Sequence, residues 1–126
     1  MGRSMKPLFH ICAEDAWEDQ FDQLEFRDPS LEAEGFIHCS FQDQVAGVAS
    51  RIFSGRDDLL LMEIKPDLVT AEIKVEDSYN AGVEYPHIYG PIPLGAVRRV
   101  YRLQTPSDAA ELPWPSDADV VFSRTI

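Results

Sequence analysis

The sequence predicts an α+β fold: a twisted, mainly antiparallel sheet with two main helices. Three observations carry this. Short apolar or alternating runs recur at strand length along the chain. Two stretches in the first half show helical spacing. The later strands stand too close together for the crossovers that parallel pairing needs. At 126 residues the chain is expected to form one domain with a sizeable core. Within it, residues 1–6 are expected as a disordered leader, about 8–104 as the core, and 105–126 as a proline-containing tail.

Taken in order, Leu8 to Cys12 reads as a buried strand. A helix is expected over Ala13 to Phe21, with Trp17 and Phe21 at i, i+4 and acids in its first turn, where the helix dipole favours them. Asp28-Pro29-Ser30 marks a loop, and Ser30 is the expected cap of a turn at Leu31 to Glu34. Gly35 breaks that turn before a second strand, Phe36 to Cys39. Ser40-Phe41-Gln42-Asp43 resembles a capping box. It opens a helix whose apolar face is Phe41, Val45, Val48, Ala49, Ile52 and Phe53, stopped at Gly55. Leu59 to Ile64 is nearly all apolar, which predicts a strand covered on both faces. Pro66 interrupts, with one turn expected at Asp67 to Val69. Ala71 to Val75 alternates like a half-exposed strand, and the polar run Asp77 to Glu84 predicts a surface loop. Val97 to Leu103 is the last strong strand, with Val97, Arg99, Tyr101 and Leu103 expected on one face. Val120-Val121-Phe122 is read as a further strand or a docked tail.

Composition narrows the function classes. Twenty-two acids against eleven bases give a formal net charge of −11. Such a chain repels polyphosphate and anionic membrane surfaces at long range, so nucleic acid is not an expected partner. No apolar run reaches the ~20 residues of a membrane helix, and the first residues lack a signal-peptide core. Cys12 and Cys39 are expected as free thiols in a reducing cytoplasm.

The chemistry-bearing residues are the three histidines, His10, His38 and His87, each inside an aromatic or apolar strand-like run. Histidine changes charge near neutral pH and hydrogen-bonds ribose and phosphate well. His38 and Ser40 lie on one face of an extended segment just before a helix, where free amides favour an anion. Tyr85, His87 and Tyr89 share a face if the segment is extended, giving two rings as walls beside an imidazole. The alternative reading of each is structural: a hydrogen-bonded core histidine, a helix cap, an aromatic edge. Glu76 and Glu84 flank the loop before His87 and are candidate carboxylates or solvated loop acids. Strand alternation turns His38 and Cys39 to opposite faces, so His38 is not expected to activate that thiol. There is no HExxH, CxxC pair, Walker loop or glycine-rich dinucleotide fingerprint, and no metal is expected.

Several blocks resemble a family of small bacterial and plant proteins, domain of unknown function family 952. They are Leu8-Phe9-His10-Ile11, Trp17, Ser30 through Ser40, Gln44-Val45, Leu59-Leu60-Leu61, and Tyr85-Pro86-His87-Ile88-Tyr89-Gly90-Pro91-Ile92. The resemblance runs from about Leu8 to about Leu103, with departures at Val75-Glu76, where Trp-Glu is commoner, and at Cys12, where Thr is common. It implies an ADP-ribosyltransferase-like split sheet around a nicotinamide-dinucleotide cleft. By order, His10, His38 and His87 look like the three residues that line that cleft. His87 stands where many such proteins have a glutamate, which argues against ADP-ribosyl transfer to protein. The implied ligand is NAD, ADP-ribose or a related nucleotide, NAD being a substrate rather than a resident cofactor. His10 is then expected to bond ribose, and His38 with Ser40 to hold ribose or phosphate. His87 is expected as the acid/base, between the walls Tyr85 and Tyr89. The competing expectations are a sensing module without turnover, a small hydrolase or metal-dependent enzyme using the same histidines, and an interaction protein with no cleft chemistry.

Overall fold

The computed structural model describes residues 6–104 and 112–126. The expected leader lies almost wholly outside the described residues, as does the first part of the expected tail. In order the elements are strand β1 (Leu8–Ala13), helix α1 (Glu14–Gln20), strand β2 (Glu25–Phe26), helix α2 (Pro29–Glu34), strand β3 (Ile37–His38) and helix α3 (Gln42–Ile52). Strands β4 (Leu59–Ile64), β5 (Ile73–Glu76), β6 (Tyr85–Ile88), β7 (Ile92–Pro93), β8 (Val97–Leu103) and β9 (Val120–Ser123) follow. Among the described residues the fold is α+β and every strand pair is antiparallel, with three α-helices rather than the two main helices expected.

The chain forms a four-stranded sheet in the order β1-β4-β8-β9, a three-stranded sheet β3-β6-β5, and a small β2-β7 pair. The two larger sheets meet at one seam. There Phe9 and Ser40 exchange both backbone hydrogen bonds, each at 2.8 Å. β4 is central in its sheet, and Leu59 through Met62 are all buried, as its unbroken apolar run predicts. Its two faces feed two clusters. One gathers Leu60, Met62 and Ile64 with Ile37 and Ile88 of the second sheet, and Trp17 of α1. The other gathers Leu59 and Leu61 with Phe9, Tyr101, Leu103 and Val45 of α3. β9 joins the sheet edge beside β8, and Phe122 packs edge-on against Trp17 at 5.2 Å.

Four expectations need correction. α2 is a full helix from Pro29, and its cap is Asp28, whose Oδ2 accepts from the Ser30 backbone N–H at 3.1 Å. Proline fits the first helical position because its missing N–H has no intrahelical partner there. α3 is capped at Phe41, not Ser40: the Gln44 side-chain oxygen accepts from the Phe41 N–H at 3.0 Å, while the Ser40 backbone is committed to the seam. The register of β8 shifts opposite Glu63 and Ile64. This bulge puts Val97 in the same cluster as Val100, while Tyr101 and Leu103 stay together on the other face. Finally, the helical periods overstate burial. Phe21 ends α1 half in solvent, and Ile52 is 64% exposed although Val45 and Ala49 on the same helix are buried.

Gly90 sits against β5's lead-in, where a Cβ would stand 2.6 Å from the Ala71 Cβ. Gly90→Ala is therefore expected to lower stability by about 1–3 kcal/mol through overpacking. Pairing it with Ala71→Gly should return much of the loss. Urea unfolding of the single and double variants checks this, and a single variant as stable as the parent would rule out the close approach.

Candidate active site

A cleft of about 340 Å³ opens at the seam between the two sheets, and all three histidines line it. His38 and His87 are direct cross-strand partners in β3 and β6, so their side chains share a face; their ring centroids are 5.3 Å apart. The opposite face of these strands carries Ile37 and Ile88 into the core. Val48 and Ile52 form part of the cleft wall, which accounts for the exposed half of the α3 apolar stripe.

Each imidazole is held by a carboxylate, and the three pairs differ. His10 is buried, and both its ring nitrogens face acceptors: Nδ1 lies 2.6 Å from the His38 carbonyl oxygen and Nε2 lies 3.0 Å from Asp28 Oδ1. Both partners are acceptor-only groups. His10 thus ties β1, the cap of α2 and β3 together, and has no ring nitrogen left for a ligand. His38 is 37% exposed at its side chain, with Nε2 2.8 Å from Glu34 Oε2. Tyr79 stacks over it with centroids 5.9 Å apart and donates its hydroxyl proton to the other Glu34 oxygen.

His87 is the most enclosed pair member, at 2% exposure. Its ring stacks on Phe36 at 4.1 Å, and Nδ1 lies 2.9 Å from Glu76 Oε2, which also accepts from the Tyr89 hydroxyl. With Nδ1 turned to Glu76, His87 leaves an Nε2 that has no partner among the described residues. No fully enclosed side-chain nitrogen or oxygen among them lacks a partner, so Nε2 opens to the cleft. The same reasoning applies to the hydroxyl of Ser40, whose residue is 6% exposed and which has no hydrogen-bond partner among the described residues.

The remaining expected residues divide. Tyr85 lines the cleft, and its hydroxyl accepts from the Arg51 guanidinium at 3.1 Å. Tyr89 is not in the lining; it stands behind Glu76 and fixes it. Of the two loop acids, Glu76 is the partner of His87, whereas Glu84 offers its backbone carbonyl to Gln44 at 2.8 Å. The α3 N-terminus does not face the cleft, which draws on the other end of that helix, so its free amides are not part of this site. Sequence reasoning missed Asp28, Glu34, Tyr79 and Arg51. Of these only Asp28 carried a local signal, the cap-forming Asp-Pro-Ser triplet.

The electrostatics follow from these contacts. Burial opposes ionisation of Asp28, but hydrogen bonds and charge from His10, with two more bonds from Ser30, outweigh it and bring its carboxyl down to about 2. Glu34 is lowered by His38 and Tyr79, and Glu76 by Tyr89 and His87. The matching phenols, Tyr79 and Tyr89, are each pushed up to about 12 by those carboxylates. Burial, reinforced by Asp28, pushes Cys12 up to about 12 and Cys39 up as well; both are free thiols, and such thiols are poor nucleophiles at neutral pH. Among the described residues no three His, Cys, Asp or Glu side chains converge as metal ligands.

A family model described as "Protein of unknown function (DUF952)" matches residues 11–100. The crystal structure of protein CC0527 from Caulobacter crescentus is similar at 27% identity and a TM-score of 0.72, over 90% of this chain and 96% of that one. A double mutant of CC0527 gives the same values, and its solution NMR structure gives 26% identity and a TM-score of 0.68, over 92% and 91% of the two chains. No curated protein matches the chain significantly.

The depressed Asp28 carboxyl sets an acid limit on stability. Its folded value, about 2, lies below the ordinary 3.8, so the unfolded chain binds the proton first. The contribution is complete above about pH 4 and is lost as pH falls through 2, amounting to roughly 2 kcal/mol. Asp28→Asn should be less stable at pH 7 and should show a shallower fall in stability than the parent between pH 4 and 2. Urea unfolding across that range checks it; parallel curves for the two proteins would show that the pair contributes nothing.

Proposed function

This chain belongs to the DUF952 family, and we propose that its cleft binds NAD, ADP-ribose or a related nucleotide and acts at the ribose. The observation that carries the reading is His87: a buried imidazole pinned at Nδ1 by Glu76, with Nε2 open to the cleft. A carboxylate behind an imidazole fixes the tautomer and steadies the positive charge that develops when the far nitrogen takes a proton. The chemistry is addition of water, or of another hydroxyl, at the ribose carbon that bears the base. The new C–O bond forms as the bond to the base breaks, the base keeps that electron pair, and the hydroxyl proton passes to Nε2.

An ADP-ribosyltransferase-like arrangement is part of the same proposal. Three histidines on three strands around a cleft at a split in the sheet are what that arrangement calls for. The cleft's volume, at the small end of the usual ~300–1,000 Å³, suits a nucleoside portion with the rest of a larger ligand outside. Val48, Ile52 and Tyr85 supply apolar and aromatic walls for a flat ring. In this reading His38 contacts the ligand, and His10, both nitrogens engaged, positions β3 from behind. A second reading, binding without turnover, draws on the carboxylate already held at every imidazole.

Titration with NAD, ADP-ribose and adenosine, read by the NMR shifts of the imidazoles, tests the binding. Joint movement of His38 and His87 with one ligand is the expected result, and no movement at millimolar ligand overturns the reading. Release of free base from NAD separates the two readings. If turnover occurs, His87→Gln should lower kcat by about 10²-fold or more, and Glu76→Gln by a smaller factor, with binding largely kept.

A further inference from the structure

The charged groups of the cleft do not balance. Asp28, Glu34 and Glu76 are each matched to a histidine. The guanidinium of Arg51 is not matched. Arg27, Arg56, Arg98 and Arg102 each pair with a carboxylate, whereas Arg51, Arg99 and Arg124 form no ion pair among the described residues; of these three Arg51 alone lines the cleft, bonded to the Tyr85 hydroxyl. In a chain of net charge −11 an unpaired arginine beside a cleft is conspicuous.

Its neighbours are donors too. The Tyr85 hydroxyl accepts from Arg51, so its own proton is free to donate. Continuing the β3–β6 register, in which Ile37 faces Ile88 and His38 faces His87, puts Ser40 opposite Tyr85 on the same face. The Ser40 hydroxyl has no partner among the described residues and opens to the cleft, although its residue is buried. Three donors thus line one cleft, two of them bonded to each other and none bonded to a carboxylate among the described residues.

We propose that Arg51, Tyr85 and Ser40 form an anion subsite that takes a phosphate group of the ligand and so sets its position relative to His87. The identity of the ligand as a nucleotide rests on the reading above; the subsite itself does not. A planar guanidinium binds phosphate oxygens in pairs, and the two hydroxyls supply further bonds to the same group. The acidic surface repels anions at long range, so capture depends on contact here rather than on steering. A phosphate held next to the Ser40–Tyr85 row leaves the adjoining sugar beside the next row of the face, His38 and His87.

The test uses three probes on the full chain: inorganic phosphate, ADP-ribose and adenosine. Phosphate and ADP-ribose should shift the Arg51 side-chain NMR signal, and adenosine should not. Arg51→Gln should weaken ADP-ribose by about tenfold or more and leave adenosine within about twofold, with Arg51→Lys between. Arg51 is an exposed helix residue, so melting temperatures close to the parent's are expected and serve as the folding control. Tyr85→Phe, which keeps the ring, should lose a smaller factor for ADP-ribose only. If Arg51→Gln binds ADP-ribose as tightly as the parent, the subsite falls while the nucleotide reading stands. If phosphate moves Arg51 but neither ADP-ribose nor NAD binds, the subsite stands and the nucleotide reading falls. An Arg51 signal indifferent to every anion, or an equal loss of adenosine, overturns the proposal.

Discussion

The site hangs on one imidazole whose two ring nitrogens are both engaged within the protein. His10 bridges three segments far apart in sequence: its own strand, the Asp28 cap of α2, and the carbonyl of His38. The seam beside it is thin, since one residue pair, Phe9 and Ser40, carries the backbone bonds between the two sheets. A buried ring with two strong acceptors is costly to place and hard to move once placed. That rigidity is what a cleft at a sheet junction needs. Without it, the strand bearing His38 would be free to drift relative to the sheet on which β1 lies, and the cleft between them would have no fixed width.

The three carboxylate–imidazole pairs form a gradient of exposure. The His10 pair is enclosed, the His87 pair is half-sheltered by Phe36 and Tyr89, and the His38 pair faces solvent. The same pairing therefore does different work at each place. Inside, it fixes geometry; at the cleft floor, it holds a tautomer; at the mouth, screening by water weakens it and lets the side chains rearrange. The carboxylate partners follow that gradient, from Asp28 at 17% through Glu76 at 28% to Glu34 at 38% exposed.

Much of this was legible in the sequence. The uninterrupted apolar run of β4, the period of α3 and the aromatic settings of His38 and His87 each reported a local fact, and each became an element or a cleft-lining residue. What stayed hidden depended on partners distant in the chain. Asp28 looks like any helix cap until β1 arrives beside it. Glu34 and Tyr79 meet only because a loop folds back over β3. Phe21 and Ile52 fit their helical periods, but a period reports which face is apolar and not how far the covering surface extends. The bulge opposite Glu63 was invisible because alternation in β8 assumes an unbroken ladder. Arg51 lies outside the histidine blocks and reaches the cleft because the C-terminal half of α3 lines it.

The loop that carries Tyr79 is built differently from the rest of the cleft. Asp77 folds it on itself, its carboxylate accepting from the Ala81 and Gly82 backbone N–H groups, with Asn80 at a positive φ of 58°. It is therefore a self-supporting turn set on the end of β5, while Glu76 and His87 belong to the sheet. Mutational drift can exchange the residues at its tip, and with them part of the cleft mouth, without disturbing the ladder that aligns Glu76 with His87. The mouth of the cleft can thus change its shape while the Glu76–His87 pair keeps its geometry.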